Sequence, residues 1–147
     1  MEFPTPDALA KDILRDAQTM TLAVADEDGP WAAPVVFINP EIVKRRGMVE
    51  DEEGCLSFPD LYQDIRRFKT VKAQFYGLDG QLHEMVSSDL AARIWQHEID
   101  HLHGTLFIDK MGPLARMSSR KDLDSFIAEF EEGVKKGVIP PGTEMKL

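Results

Sequence analysis

The clearest pattern of apolar and polar positions lies between residues 69 and 86. Val71, Ala73 and Phe75 alternate with polar residues, as the inward-facing positions of a half-buried strand do. The turn sequence Leu78-Asp79-Gly80-Gln81 separates this stretch from a second apolar-rich one, Leu82 to Val86. The pattern predicts two strands joined as a β-hairpin.

Helical spacing occurs in three other stretches. Thr5-Pro6-Asp7 has the composition of a helix start, and apolar residues at 9, 13, 17 and 20 predict an amphipathic helix over 6–20. A second helix is expected to start at residue 87 or 88 and to end near His103, because Gly104 can adopt the left-handed backbone that terminates helices. A third is expected to start near residues 118–119, with apolar positions at Leu123, Phe126, Ile127, Phe130 and Val134.

Short extended segments fill most of the remaining chain. Strands are predicted at 21–26, ending in a turn at 27–30, and at 35–38, where Asn39-Pro40 stops the strand. Residues 48–52 are predicted to be extended in a segment that Phe58-Pro59 ends, and a further strand is expected at 105–108. The predicted fold class is α+β, with antiparallel strands packed around the second helix and a C-terminal helix. We expect a single domain over 1–147 whose tail from about residue 137 is poorly ordered.

Composition restricts the class of partner. The chain has 147 residues, of which 43% are apolar and 29% charged, ordinary values for a globular domain. Its formal charge of −9 makes nucleic acid and anionic membrane unfavourable partners. One cysteine suits a reducing cytoplasm, and neither a secretory signal nor a membrane-spanning apolar run is visible. We therefore expect a cytoplasmic protein, whose oligomeric state the sequence leaves open.

The candidate chemistry centres on residues 96–101, which read Gln-His-Glu-Ile-Asp-His. Residues four apart on a helix lie one above the other, so His97 and His101 would point the same way and could hold one metal ion. Glu98 beside them is placed to take a proton from a metal-bound water. An ordinary solvent-exposed helix face could have the same two histidines at the same spacing. A third metal ligand would therefore distinguish a metal site from such a face.

Several residues could provide that third ligand. The position for a further histidine downstream of Gly104 is occupied by Phe107, which cannot bind metal. The glutamates at 129, 131 and 132 lie in an acidic helical stretch that is typical of a solvated face. Cys55 alone could be a small buried hydrophobe, but with the two histidines it completes a Cys-His-His set.

Two stretches together resemble the peptide deformylase family: Glu53-Gly54-Cys55-Leu56-Ser57 and Gln96-His97-Glu98-Ile99-Asp100-His101. The residues around them, 36–42 and 104–109, agree, so the resemblance covers roughly residues 35 to 115. Members of this family remove the N-formyl group from nascent bacterial and organellar polypeptides. The resemblance therefore implies an N-formylated peptide or nascent chain as the partner.

The resemblance also implies a divalent metal ion held by Cys55, His97 and His101. Fe²⁺ is the native ion it suggests, and Zn²⁺, Ni²⁺ or Co²⁺ would also suit a thiolate with two imidazoles. Glu98 would assist the attack of a metal-bound water on the formyl carbon. The backbone N–H of Leu56 would stabilise the developing oxyanion.

A substrate pocket is expected beside the metal. Leu90 and Ile94 share one helical face with the two histidines, and they could be either core residues or the wall of a pocket. The resemblance favours a pocket for a methionine-like side chain, with Gly54 as a further member.

Three more residues are candidates to support the ligands. Asp100 could accept a hydrogen bond from a ligand or pair with Arg67, and Gln96 precedes the first histidine. Gln96 and Asp100 could equally well be surface residues with no role at the site.

The chain departs from the family at one point. The family's Gly-x-Gly-Leu-Ala-Ala-x-Gln segment, whose glutamine helps to hold the oxyanion, is not found, and the nearest text is at 28–35. Losing one oxyanion donor typically costs about 10²–10³ in turnover, so weak activity is expected. The alternative is a deformylase-like metal protein that binds a formyl-peptide or another partner with little or no turnover. A zincin-type protease is a weaker third interpretation, because it leaves Cys55 unexplained.

Overall fold

The computed structural model describes residues 19–26, 29–140 and 142–143. It divides the chain into two compact units. The first unit comprises the chain up to Val49 together with Arg67–Leu106, and the second comprises Glu50–Arg66 together with the chain from Phe107 onward. The single domain expected over the whole chain stays a prediction.

Six strands are present in the described part of the chain: β1 (Thr19–Asp26), β2 (Gly29–Arg46), β3 (Val49–Cys55), β4 (Phe58–Arg67), β5 (Thr70–Tyr76) and β6 (Leu82–Ser88). In the first unit, four of them form a sheet in the order β1-β2-β5-β6. All three neighbouring pairs are antiparallel, which confirms the antiparallel pairing that was expected. The predicted helix over 6–20 lies outside the described residues except for positions 19 and 20, which belong to β1. Positions 27 and 28 of the turn predicted at 27–30 also lie outside the described residues, whereas positions 29 and 30 belong to β2.

Strand β2 passes through the point where it was expected to stop. It continues for several residues beyond Asn39-Pro40 and pairs again with β5 from Glu41. Asn39 adopts a left-handed backbone with φ 49°, and between Ile38 and Glu41 the register shifts by one extra residue on β2. Proline lacks an N–H and asparagine tolerates this backbone, so the two residues form a bulge, after which the ladder resumes.

The predicted hairpin is confirmed as β5 and β6. Val71, Ala73 and Phe75 are buried on β5, and the register with β6 is unbroken from Thr70 to Tyr76. Gly80 in the connecting turn has φ 72°, a conformation that glycine adopts without strain.

Helix α1 (Asp89–Leu102) follows β6 directly. Ser88 is its N-cap residue, although its side chain makes no capping hydrogen bond, and Gly104 beyond its end has φ 70°, as predicted. Its inner face contributes Ala92, Trp95 and Ile99 to the core of the first unit. The other members of that core come from the sheet: Phe37, Ile42, Val71, Ala73 and Phe75.

The backbone after α1 explains why the strand predicted at 105–108 is wrong. The Thr105 N–H donates to the Asp100 carbonyl at 2.9 Å. This N–H therefore pairs with a carbonyl at the end of α1 and not with a neighbouring strand. Phe107–Lys110 then form a 3₁₀ helix in which the successive residues Phe107 and Ile108 are both buried. An alternating strand would expose one of the two.

The second unit contains the two-stranded sheet of β3 and β4, helix α2 (Pro113–Ser118) and helix α3 (Arg120–Lys135). Strand β4 and helix α2 were not predicted, whereas α3 begins close to the expected position. The rings of Phe107 and Phe126 each lie 5.7 Å from that of Phe58 in edge contacts. No helix among the described residues is long and apolar enough to cross a membrane.

Candidate active site

Helix α1 brings the two predicted histidines together. The Nε2 atoms of His97 and His101 lie 3.0 Å apart, and the two rings meet edge to face with centroids 4.6 Å apart. Both side chains are half-buried. Their four-residue spacing on one helical face causes this convergence, and both belong to a set of side chains that could hold a metal ion.

The surroundings favour a neutral imidazole at His101. Burial lowers the pKa of His101 below its ordinary value, and the adjacent His97 lowers it further. The carboxylates of Glu98 and Asp100 act in the opposite direction. A neutral ring keeps a nitrogen lone pair available, which is the form that binds metal ions. The two histidines therefore suit a divalent cation. Glu98 is half-buried on the same helix, close enough for its charge to raise the pKa of His101.

A buried amide fixes this helix to the connection between β4 and β5. Gln96 is 6% exposed, and its Oε1 accepts a hydrogen bond from the Phe68 N–H at 2.9 Å. Its Nε2 donates to the carbonyls of Phe68 at 2.8 Å and Ala92 at 2.9 Å. Phe68 contributes only backbone atoms to these bonds, so no side-chain pattern in the sequence could have pointed to it.

A charged pair makes a second connection within the first unit. The guanidinium of Arg67, which is 4% exposed, donates from Nη1 to Oδ2 of Asp100. Of the two alternatives predicted for Asp100, the structure describes the pairing with Arg67. Asp100 lies directly before His101, so this pair holds the turn of α1 that carries the second histidine.

The cysteine motif lies in the second unit, at the end of β3. Cys55 is a half-buried thiol, and the Leu56 side chain after it is fully exposed. Gly54 packs against an unforeseen neighbour, because a Cβ atom at this position would lie 2.6 Å from Cε1 of Tyr62. Only glycine allows that approach without a shift of the ring.

The two residues proposed for a methionine pocket differ in exposure. Leu90 is 70% exposed, and Ile94 is half-buried. Their role in substrate binding stays a prediction, as do the roles assigned to Gly54 and to the Leu56 N–H.

The antiparallel sheet, the C-terminal helices and a helix with two convergent histidines define a mixed α/β protein with a candidate metal site. A profile described as polypeptide deformylase matches residues 10–117. The chain therefore belongs to the polypeptide deformylase family.

Curated relatives agree with this assignment. A peptide deformylase of Bradyrhizobium diazoefficiens is 41% identical over 120 residues, which cover 80% of this chain and 65% of the relative. That of Afipia carboxidovorans is 45% identical over 98 residues, covering 66% and 57%. The chain thus spans less than two thirds of the length of these two relatives. A Rhodopseudomonas palustris peptide deformylase is 37% identical over 139 residues, covering 93% of this chain and 75% of the relative.

Solved structures show the same likeness. A mutant of Arabidopsis thaliana peptide deformylase 1B superposes with a TM-score of 0.72 at 28% identity, covering 99% of this chain and 89% of that one. A Plasmodium falciparum peptide deformylase in complex with an inhibitor gives a TM-score of 0.62 at 39% identity, covering 64% and 62%. The mixed fold is therefore shared with known peptide deformylases.

Proposed function

We propose that this chain is a metal-dependent hydrolase that removes the formyl group from N-formyl-methionyl peptides. The observation that carries the proposal is the pair of convergent Nε2 atoms, 3.0 Å apart, with Glu98 beside them in a member of the deformylase family. The substrate is the N-formylated end of a peptide or nascent chain.

The ion would be held by His97 and His101, with the Cys55 thiolate as the third ligand. The fit rests on the chemistry of the donors, because a thiolate and two neutral imidazoles are good ligands for Fe²⁺, Zn²⁺, Ni²⁺ and Co²⁺. Fe²⁺ is the native ion that we propose. A divalent ion bound here would lower the pKa of water and polarise the formyl carbonyl.

The chain's own groups would carry the proton and the developing charge. Glu98 accepts a proton as a water oxygen attacks the formyl carbon, and it then delivers that proton to the peptide nitrogen. The carbon–nitrogen bond breaks, leaving formate and a free amine. The backbone N–H of Leu56 donates to the oxygen on which negative charge develops, and Leu90, Ile94 and Gly54 border the methionine side chain.

The test measures formate release from a formyl-methionyl tripeptide by protein purified without oxygen and loaded with Fe²⁺ or Ni²⁺. Glu98→Ala should lower turnover by at least about 100-fold, the usual contribution of a general base, while retaining one equivalent of metal. Glu129→Ala, which removes an exposed glutamate from α3, is the matched control. A Glu98→Ala protein with ordinary turnover would show that another group is the base.

Metal content tests the ligand set separately from turnover. Elemental analysis of Cys55→Ala, His97→Ala and His101→Ala should show loss of the bound ion from each variant. If Cys55→Ala retained a full equivalent with unchanged affinity, the third ligand would have to be sought elsewhere.

A second candidate function follows from the missing Gly-x-Gly-Leu-Ala-Ala-x-Gln segment. A protein without that oxyanion donor could bind metal and formyl-peptide with little or no turnover, since one such donor contributes about 10²–10³. Calorimetric binding of the peptide to fully metal-loaded protein, without formate release, would support this alternative. Ordinary turnover would exclude it.

A further inference from the structure

Strand β6 forms one edge of the four-stranded sheet in the first unit. Its inner side pairs with β5 over the whole strand, from Leu82 to Ser88. In the part of the chain that the structure describes, no strand pairs with its outer side. Such an edge presents a row of backbone N–H and C=O groups with which another chain can pair.

Two hydrogen bonds, one at each end of this pairing, show which backbone groups of β6 point outward. The Gly77 N–H donates to the Gln81 carbonyl at 3.0 Å, and the Asp89 N–H donates to the Lys69 carbonyl at 2.8 Å. Hydrogen-bonded and non-hydrogen-bonded pairs alternate along an antiparallel ladder. The residues of β6 with odd numbers therefore bond to β5, and those with even numbers direct their N–H and C=O groups away from it.

The outer edge of β6 lacks most of the features that usually protect an edge from pairing. The strand contains no proline, glycine or lysine, and its register with β5 has no bulge. All of its residues except Ser87 are exposed. At the other end of the sheet, by contrast, the register of β1 shifts between Leu22 and Val24. Strand β6 is therefore a regular edge that is open to a partner strand.

We infer that two copies of this chain pair through the outer edges of their β6 strands, so that the two sheets become one continuous antiparallel sheet. The same edge is its own complement when it is turned around, because each N–H then faces a C=O. The two-fold arrangement uses both edges and closes after two chains. It would also cover Val86 and Met85, which are 67% and 43% exposed. The inference goes beyond the proposed function and does not rest on it.

The length of the strand sets the register. Strand β6 (Leu82–Ser88) is centred on Met85, so a two-fold axis at Met85 lets the two strands overlap completely. Glu84 then lies opposite Val86 of the second copy, and the two residues pair through their outward backbone groups. The two Glu84 carboxylates do not face each other directly, which would be unfavourable. Each is already paired with Lys72 of its own chain, at 2.6 Å from Nζ.

Sedimentation velocity of the full chain loaded with Zn²⁺ tests the inference. One strand pair is a small contact, so we expect a weak dimer with a Kd of about 1–100 µM. The sedimenting species should change from one chain to two as the concentration rises through that range. A wild type that stays monomeric well above it would overturn the inference and would assign the edge to a different occupant.

Charges placed on the axis test the register. Met85→Lys and Met85→Glu should each raise the Kd of the dimer by about two- to thirtyfold, because like charges then face each other and the methionine contact is lost. An equimolar mixture of the two variants should dimerise more tightly than either variant alone, since a lysine then faces a glutamate. This recovery would also show that both variants are folded.

The matched control places the same charges on α3 in the second unit. Val134 is 41% exposed, close to the exposure of Met85. Neither Val134→Lys, Val134→Glu nor their mixture should change the Kd by more than about twofold. A Met85 mixture that dimerises no better than the separate variants would overturn the inference, and so would equal effects at the two positions.

A disulfide provides a measurement that does not depend on affinity. The Cα atoms of a non-hydrogen-bonded pair lie about 4.5 Å apart, within the range that a disulfide bridges. Met85→Cys should therefore form a covalent dimer in oxidised glutathione. The wild type, whose one cysteine is Cys55, and Val134→Cys should remain single chains. Crosslinking of Met85→Cys no faster than that of Val134→Cys would overturn the inference.

Discussion

Replacing Gln96 with leucine removes three hydrogen bonds while keeping the volume of the side chain. Gln96 is 6% exposed, so water cannot readily take the place of its amide. The Phe68 N–H and carbonyl, 2.9 and 2.8 Å from the amide, would lose this partner. Each polar group left unsatisfied in a buried place costs about 1–3 kcal/mol, so for the two Phe68 groups we expect the free energy of unfolding to fall by about 2–6 kcal/mol.

Urea denaturation followed by circular dichroism measures this loss. With a slope of about 1–3 kcal/mol per molar urea, the midpoint should fall by at least about 0.7 M. Gln74→Leu is the matched control, because Gln74 is half-buried and its amide donates to the exposed Glu84 side chain. Its change should stay below about 1 kcal/mol. A Gln96→Leu protein as stable as the control would show that the amide does not hold Phe68 to α1.

Three further changes test other contacts of the described residues. Asp100→Asn should lower the unfolding free energy by about 1–3 kcal/mol, because it replaces a charged hydrogen-bond acceptor of the buried Arg67 guanidinium by a neutral one, and the Asp100 side chain is 22% exposed. Adding Arg67→Met should recover part of that loss in the same urea assay, and no recovery would contradict a charge-burial effect. Gly54→Ala should cost less than about 1 kcal/mol, because the Tyr62 ring, 2.6 Å from the added Cβ, is 57% exposed and can shift towards solvent, and a larger loss would show that the ring cannot move. A hydrogen bond from the Gln81 N–H lowers the pKa of Asp79 below its usual 3.8, so the stabilisation is present above that pH and is lost as the pH falls below it. Asp79→Asn should therefore flatten the acid end of the stability profile, and a parallel profile would refute this.

Much of the fold could be predicted from local patterns of apolar and polar residues. The alternation of Val71, Ala73 and Phe75 predicted β5, because each residue of a strand points to the face opposite its neighbour. The helical spacing before Gly104 predicted α1 and its end. The same periodicity brought His97 and His101 together, since residues four apart on a helix are neighbours whatever surrounds them.

Tertiary contacts decided the remainder. Asn39-Pro40 reads as a strand end, yet pairing with β5 beyond the bulge keeps β2 extended to Arg46. The apolar run after Gly104 reads as a strand, but the Thr105 N–H bonds to the end of α1, and Phe107 is buried in the second unit.

In the candidate site, too, some features could be predicted from the sequence and others depend on tertiary contacts. The sequence alone was sufficient to predict that His97, Glu98 and His101 lie together, because all three belong to one helix, whose geometry fixes their relative positions. It did not determine the partner of Gln96, a backbone segment 28 residues away, nor the contact of Tyr62 with Gly54. Those contacts depend on where separate strands bring the chain back, and residue type at one position carries no information about the backbone that will lie beside it.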